Sequence, residues 1–272
     1  MLVCLAVLVF VALLSLTSCE KIRSLLHPGT KTATHSRERE HTVSRSPRPP
    51  ASGIPRLAII LDDLGNDRAA ADLVFRLSYP LTISVLPHRP YSSEIAQEAH
   101  QRGYEVMLHL PMQAQGGEKP ESEELRPGMA AAEVSRELAD MLQAVPHVAG
   151  VNNHQGSLAT SSPALMNELM PLLRDRDLFF IDSRTTAATV AFDTAEKDSV
   201  RCAFRNVPFL DDVQDVAAIR KQLELALRGA QEKGEAIAIG HPHPETLAAL
   251  REVLPQAQAQ GVKLVFASEL VH

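Results

Sequence analysis

Five apolar runs along this chain stop abruptly on Asp, Asn or His. A continuous apolar run of four to eight residues, bounded by Gly or Pro, is typical of a strand buried on both faces. Helical periodicity fills most of the intervals between the runs, which predicts β-α-β units and a mainly parallel sheet. The runs, with the polar residues that end them, are Leu57–Gly65, Val106–Met112, Val151–Ser157, Leu178–Arg184 and Ala236–His243.

The order of elements predicts an α/β fold. Seven or eight such units can close into a barrel, and an open doubly wound sheet is the alternative. Beyond the first run, strands are predicted at Leu81–Leu86, Tyr104–Leu110, Val148–Asn152, Leu178–Ile181, Ala236–Ile239 and Lys263–Ala267. Helices are predicted at Asn66–Leu77, Ser92–Arg102, Ala131–Val145, Pro163–Arg176, Asp215–Lys233 and His243–Gln260, with a polar loop at Ala114–Pro127 and an ambiguous segment at Val200–Pro208.

The first 18 residues are almost purely apolar and end in small residues, which is typical of a secretory signal. The sequence Leu16-Thr-Ser-Cys19 resembles the lipobox of bacterial lipoproteins. This resemblance implies cleavage before Cys19 and lipidation of that residue, and an uncleaved membrane anchor is the alternative. Either reading predicts a membrane-anchored protein of the cell envelope, outside the cytoplasm.

Residues 19–54 differ in composition from the rest of the chain. The segment Glu20–Pro55 has seven Lys or Arg against three Glu, with frequent Pro, Ser and Thr, and it lacks apolar periodicity. We therefore predict a disordered basic tether, followed by one folded domain over residues 55–272. Because the whole chain carries a net charge of −6, residues 56–272 carry −10, which argues against nucleic-acid binding. Cys202 is the single Cys of the folded part, so no disulfide framework is expected.

Polar residues at the ends of the apolar runs form the candidate site. The carboxyl ends of parallel strands gather on one face, which carries the active site in such folds. Acidic and imidazole side chains clustered there are typical ligands of a hard or borderline metal, with carboxylates left for proton transfer. The pattern favours a metal-dependent hydrolase in which the following residues converge: Asp62, Asp63, His109, Asn153, His154, Asp182 and His241.

Asp62 and Asp63 are adjacent carboxylates at a buried strand end, where they repel unless a cation or hydrogen-bond donors lie between them. One carboxylate could bind a metal while the other accepts a proton. Alternatively, Asp63 caps the following helix. His109 and His154 are the candidate imidazole ligands, although such a His is often a hydrogen-bonded core residue, and Asn-rich motifs also form turns.

Four further positions carry possible roles. Asn153 could donate a hydrogen bond to an oxyanion. Asp182 either orients a His ligand or caps a turn, and Arg184 either binds an anionic substrate group or neutralises the Asp cluster. His241 directly follows a strand and is the candidate general acid. Asp211–Asp212 could join the rim of the site, although a solvated loop is the favoured interpretation.

Five motifs together resemble the divergent polysaccharide deacetylase family, over residues 54–272. The resemblance implies a distorted (β/α) barrel of about seven mainly parallel strands, related to the metal-dependent polysaccharide deacetylases. The motifs are Leu61-Asp-Asp-Leu-Gly65, Leu108-His-Leu-Pro-Met112, Gly150-Val-Asn-Asn-His-Gln-Gly-Ser157, Phe180-Ile-Asp-Ser-Arg-Thr185 and Gly240-His-Pro242.

The same resemblance implies individual roles. It makes Asp62 the base and Asp63 a metal ligand, and it makes His241 the group that protonates the leaving group. The His-x-x-x-His ligand pair of the metal-dependent enzymes falls on His109 and Gln113, so the second imidazole is missing. We expect His154 to complete the metal site instead.

These residues lead to one hypothesis and two alternatives. The hypothesis is hydrolysis of N- or O-acetyl groups of envelope polysaccharide or peptidoglycan, with a divalent metal, most simply Zn²⁺, as cofactor. The first alternative is a catalytically degenerate envelope lipoprotein that binds glycan or protein. The second, a metal phosphoesterase, would need more ligands bridging two metals.

Overall fold

A computed structural model describes residues 53–116 and 123–272 of the protein. The predicted signal, residues 19–52 of the tether including Cys19, and residues 117–122 of the predicted polar loop lie outside the described residues. Within the described ranges, no helix is both long enough and apolar enough to cross a membrane.

In the described part of the chain, eight parallel strands alternate with helices. Seven of them form a sheet in the order β6-β5-β4-β3-β2-β1-β7, and β8 pairs only with the first residues of β1. Their bounds are β1 Arg56–Leu64, β2 Thr82–Val85, β3 Glu105–Met112, β4 Val148–Gln155, β5 Phe179–Asp182, β6 Cys202–Phe204, β7 Glu235–Gly240 and β8 Lys263–Val265.

The sheet curls into a nearly closed barrel, as the sequence predicts. The gap between β6 and β7 is bridged by the chain that follows β6, because Asn206 N donates to Ile237 O (3.0 Å) and Leu210 N donates to Ile239 O (2.9 Å). The open doubly wound alternative is therefore wrong.

Among the described residues, seven helices connect the strands. They are α1 Arg68–Val74, α2 Ser92–Gln101, α3 Ala131–Ala144, α4 Pro163–Arg174, α5 Ala191–Lys197, α6 Val216–Lys233 and α7 Pro244–Ala259, with a short 3₁₀ helix at Ala267–Leu270. The helix α5 was not predicted, because its buried residues Ala191, Thr194 and Ala195 are small or polar and show no clear apolar period. The side chain of Asp67 accepts hydrogen bonds from the first turn of α1, so Asp63 is not a helix cap.

Alternate residues of the strands face two separate cores. On β1, Leu57, Ile59 and Leu61 pack against the helices, whereas Ala58 and Ile60 belong to the core inside the barrel. This two-sided burial explains why the strands read as unbroken apolar runs. The predicted ends of β3 and β4 are too early, since both strands continue through the polar residues to Met112 and Gln155.

Candidate active site

The carboxyl ends of the strands surround one cavity of about 300 Å³. It contains most of the predicted site residues and is built from β1, β3, β4 and β7 together with the segments that follow β5 and β6. The lining residues are Asp62, Asp63, His109, Asn153, His154, Gln155, Ser157, Thr185, Phe209, Asp212 and His241.

A β-bulge brings both adjacent aspartates into this cavity. Leu61 of β1 pairs with Ile83, and Leu64 pairs with Val85, so β1 has one more residue than β2 over this interval. Asp63 also adopts a left-handed backbone conformation (φ 60°). In a regular strand, neighbouring side chains point to opposite faces, and a bulge re-aims one of them. This local irregularity is what makes an Asp-Asp pair usable at one site.

Three side-chain atoms meet at a single point of the cavity. The Oδ1 atom of Asp63 lies 3.2 Å from His109 Nε2 and 3.1 Å from His154 Nδ1, and the two ring nitrogens are 3.1 Å apart. Asp63 Oδ1 is buried and has no hydrogen bond of regular geometry within the described ranges. Ligand atoms of a tetrahedral site with bonds of about 2.0–2.1 Å are about 3.3–3.4 Å apart. The three atoms therefore fit a divalent metal.

The charges of these groups support the same interpretation. Burial opposes ionisation of Asp63, but its contacts with His109 and His154 outweigh burial and hold its pKa well below the ordinary value. Burial also disfavours the charged form of His109, yet the neighbouring carboxylates, Asp62 first, raise its pKa overall. A proton on His109 thus offsets part of the carboxylate charge, and a cation would displace it on binding.

Asn152 lies at the centre of a buried hydrogen-bond network. Its Oδ1 atom accepts from Ser84 Oγ (2.5 Å) and lies 3.0 Å from His109 Nδ1, while its Nδ2 donates to Asp62 Oδ1 (2.9 Å) and Ser183 Oγ (3.2 Å). An amide oxygen only accepts, so His109 must donate from Nδ1. This contact orients Nε2 towards Asp63, which is how a partner behind a ligand imidazole fixes the tautomer.

Asp62 has the environment of a general base. It is 1% exposed, accepts from Asn152, and lies with Oδ2 3.7 Å from His109 Nε2. Desolvation by burial is the largest influence on its pKa and raises it, against the opposing effects of His109 and His241. A carboxylate with a raised pKa accepts a proton more readily at neutral pH.

His241 forms a dyad with Asp211 on the other side of the cavity. Its Nδ1 lies 2.9 Å from Asp211 Oδ1, and its main-chain N–H donates to Asp211 Oδ2 (2.6 Å), which also accepts from Thr246 Oγ1 (2.8 Å). Burial disfavours the imidazolium, but Asp211 and the more distant carboxylates raise the pKa of His241 to about 9. Of the two alternatives for Asp211–Asp212, the solvated loop is wrong for Asp211, because its carboxyl group is buried, and Asp212 lines the cavity.

Of the two roles that the sequence left open for Asp182, the structure supports the turn. Asp182 accepts from Arg184 N and Thr189 Oγ1, both at 2.8 Å, and none of the described contacts joins it to an imidazole. Asn153 accepts from Ser183 N (2.9 Å) and donates to Gln155 O (2.8 Å). Its amide is thus engaged in holding β4 and β5 rather than left available to an oxyanion.

Two positions that the sequence left ambiguous are also placed. The guanidinium of Arg184 lies over the Phe204 ring, 3.4 Å from its centroid. Gln113 does not line the cavity; its main chain bonds to Leu125, Leu158 and Ala159. The second imidazole of the ligand triangle therefore comes from His154, and not from position 113, where this chain has Gln.

Sequence reasoning missed the roles of Asn152 and Asp211, and both had a signal. Asn152 is two residues before His154, so on a continuous strand the two side chains share a face. Asp211 follows Phe209-Leu210, an apolar pair ending in Asp-Asp, which repeats the pattern that marked Asp62.

Comparison with known proteins identifies close sequence relatives. Residues 59–271 match the family model described as divergent polysaccharide deacetylase. An uncharacterized protein of Haemophilus influenzae is 38% identical over 196 residues, which is 72% of this chain and 70% of the relative.

Solved structures share the fold. The uncharacterized protein ATU2773 of Agrobacterium tumefaciens superimposes with a TM-score of 0.77 at 24% identity, covering 82% of this chain and 92% of its own. The peptidoglycan deacetylase PdaC of Bacillus subtilis gives 0.51 at 16% identity, over 83% and 91%. BA3943 of Bacillus anthracis, described as a CE4 family pseudoenzyme, gives 0.54 at 13% identity, over 83% and 69%.

Proposed function

We propose that this chain is a metal-dependent hydrolase, because it belongs to the divergent polysaccharide deacetylase family. Its reaction would remove N- or O-acetyl groups from envelope carbohydrate, either polysaccharide or peptidoglycan. The likeness to solved deacetylases supports the fold alone, since their identity to this chain is low and one neighbour with the same fold is described as a pseudoenzyme. The proposal therefore depends on the site.

The observation that carries the proposal is the triangle of Asp63 Oδ1, His109 Nε2 and His154 Nδ1, with sides of 3.1–3.2 Å. One carboxylate and two imidazoles are a ligand set typical of catalytic zinc sites, and these three residues would hold the cation. When bound there, a divalent cation such as Zn²⁺ supplies Lewis acidity towards an acetyl carbonyl and lowers the pKa of water.

The chain's own groups divide the proton transfers between two sides of the cavity. Asp62, with its raised pKa, takes the proton from the attacking water. His241 is protonated at neutral pH because Asp211 raises its pKa, and it donates that proton to the departing amine or alcohol. Its Nε2 lies 3.9 Å from Asp63 Oδ2, so the acid stands next to the ligand triangle.

We further propose that the domain works at the cell envelope as a lipoprotein attached through Cys19. The apolar N-terminal segment and its Leu-Thr-Ser-Cys ending support this location, and the basic tether would lie against an anionic membrane surface. Acetylated peptidoglycan or polysaccharide is the substrate class within reach of such an anchor.

A second candidate is a catalytically degenerate lipoprotein that binds glycan or protein. The specific observation in its favour is Gln113, which leaves this chain without the second imidazole of the His-x-x-x-His pair. Under this alternative the polar cavity would serve binding only.

Acetate release separates the two candidates. We would incubate the purified chain, loaded with Zn²⁺, with peptidoglycan and with oligosaccharides of N-acetylglucosamine, and measure acetate against the Asp62→Asn variant. The proposal expects release by the wild type that falls at least 10³-fold in the variant. Metal-loaded wild type that binds these glycans but releases no acetate would contradict hydrolysis and support the binding lipoprotein.

A further inference from the structure

Gln155 is a cavity residue to which the proposed mechanism gives no role. It directly follows His154 at the end of β4 and lines the same cavity as Asp62, Asp63 and His241. A polar side chain that lines this cavity is positioned to contact a substrate that binds in it.

The backbone at Gln155 is held in an unfavourable conformation. Its φ is 52°, in the left-handed region that non-glycine residues rarely adopt. Its carbonyl oxygen accepts from Asn153 Nδ2 and from Thr185 Oγ1, both at 2.8 Å. The following Gly156 also has a positive φ, of 84°. Such strain persists where the surroundings impose it, and it is concentrated at functional sites.

The side-chain amide of Gln155 is the second anomaly. Its Oε1 atom is shielded from water and has no hydrogen-bond partner within the described ranges. Buried amide oxygens are nearly always paired, because an unpaired acceptor loses its bonds to water without replacement. A Met side chain would fill a similar volume without this cost. The amide is therefore unfavourable for the free protein, and a ligand that brings a donor would relieve it.

We infer that Gln155 determines specificity by accepting the N–H of a substrate acetamido group on Oε1. The terminal torsion of Gln is broad, so the amide can turn towards a donor in the cavity at little cost. An O-acetyl ester has no N–H and leaves Oε1 unpaired, so N-acetyl groups are preferred. This inference rests on the proposed function and narrows its substrate class to N-acetylated glycan.

The Gln155→Met variant tests the inference, and Gln222→Met is its matched control. Gln222 lies on α6, away from the cavity, and its Oε1 is likewise buried without a hydrogen-bond partner among the described residues. Both substitutions remove an unpaired acceptor, so both should leave the melting temperature unchanged or raise it by about 2 °C. Activity would be measured on oligosaccharides of N-acetylglucosamine and on O-acetylated xylo-oligosaccharides, at equal zinc content.

We expect Gln155→Met to lower kcat/KM about tenfold on the N-acetyl substrate while staying within threefold of wild type on the O-acetyl substrate. Gln222→Met should match wild type on both. An equal loss on both substrates, or no loss on either, would overturn the inference while leaving the proposed hydrolysis intact.

A readout that does not need catalysis covers the case in which wild type releases no acetate and the proposed function fails. Calorimetric titration would then compare the N-acetylglucosamine pentamer with the glucosamine pentamer. Gln155 recognition predicts that Gln155→Met weakens binding of the acetylated pentamer alone. Unchanged binding of the acetylated pentamer, or equal weakening of both, would contradict it.

Discussion

The inside of the barrel has two halves built on the same strands, and they differ sharply in chemistry. On β3, Met107 belongs to the apolar interior, whereas His109, two residues further, is a candidate metal ligand. The apolar half holds Ala58, Ile60, Met107, Phe179, Ile181, Ile237 and Ile239. The polar half, at the carboxyl ends, holds Asp62, Ser84, His109, Asn152, His154, Ser183 and His241.

This difference shows how a strand can serve packing and chemistry together. Side chains that alternate along a strand present the same face at every second residue. Packing in the apolar half sets the spacing of the strands. Because the same strands continue into the polar half, this spacing also sets the distances between the functional groups. If this division holds, substitutions in the polar half should lower activity without lowering the free energy of unfolding. Substitutions in the apolar half should lower the free energy of unfolding without lowering kcat.

The largest effect is expected from Asp62→Asn in the polar half. The amide cannot accept the proton from water, so kcat should fall at least 10³-fold. Because burial raises the pKa of Asp62 in the folded protein, ionisation of this group at neutral pH opposes folding. The free energy of unfolding of the variant should therefore equal or exceed that of wild type. Steady-state acetate release and urea unfolding measure the two quantities.

A variant that loses stability together with activity would show that Asp62 is chiefly structural, and the division between the two halves would fail for this residue. Zinc content measured on the same samples separates loss of the base from loss of the metal.

Gly150→Ala tests the apolar half. A Cβ at Gly150 would overlap the ring of Phe179, which is fully buried and has no room to retreat. Overpacking of this kind costs about 1–3 kcal/mol, so the free energy of unfolding in urea should fall by about 3 kcal/mol. The kcat of the remaining folded protein should stay within threefold of wild type.

Gly229→Ala is the control for this substitution. Its Cβ would have Ala236 as nearest neighbour at 3.9 Å, and the residue lies within α6, where Ala is favoured over Gly by up to about 1 kcal/mol. Stabilisation by Gly229→Ala beside unchanged stability in Gly150→Ala would contradict the packing described for Phe179.

A smaller effect is expected from Asp211→Asn, which sharpens the account of the polar half. His241 must be protonated to act as an acid, so wild-type activity should decline as the pH rises through about 9. The charge of Asp211 is among the main causes of that raised pKa, and the amide removes it. The alkaline limb of the kcat/KM profile should move down by at least one pH unit, with little change of zinc content.

The same pair contributes to stability with a definite sign. Because the pKa of His241 is raised in the folded protein, its protonation stabilises the fold fully at pH values below about 6.5, the pKa of His in the unfolded chain. This contribution is lost as the pH rises through about 9. The melting temperature of wild type should therefore approach that of Asp211→Asn above pH 9. A constant difference across this range would argue against a charged dyad.

Much of this site could be predicted because its residues lie at strand ends, where parallel topology determines their meeting. His109 directly follows the apolar residues 106–108, His154 lies three residues after Val151, and β3 pairs directly with β4, with Pro111 opposite His154. Such local patterns carry their own structural consequence. The sequence does not predict which ring nitrogen faces the site, Nε2 in His109 and Nδ1 in His154.

What could not be predicted depends on irregular backbone and on non-local pairing. The bulge at Asp62 and Asp63 breaks the alternation on which the strand prediction relies. The helix α5 buries small or polar side chains, which show no clear apolar period. Asp211 reaches His241 because Leu210 bonds to Ile239 across the β6–β7 gap. Without knowledge of that contact, the composition around Asp211 fits a polar loop as well as a buried partner of His241.

The most direct test of the account is the metal content of the purified chain, for wild type beside His154→Ala, with Asp67→Ala as a control that removes a carboxylate outside the ligand triangle. After incubation with Zn²⁺ and removal of excess metal, we predict about one equivalent of zinc in wild type and in Asp67→Ala. His154→Ala should retain less than a tenth of that amount. A wild-type protein that stays metal-free, or a His154→Ala variant that binds zinc as wild type does, would contradict the metal site on which the proposed hydrolysis depends.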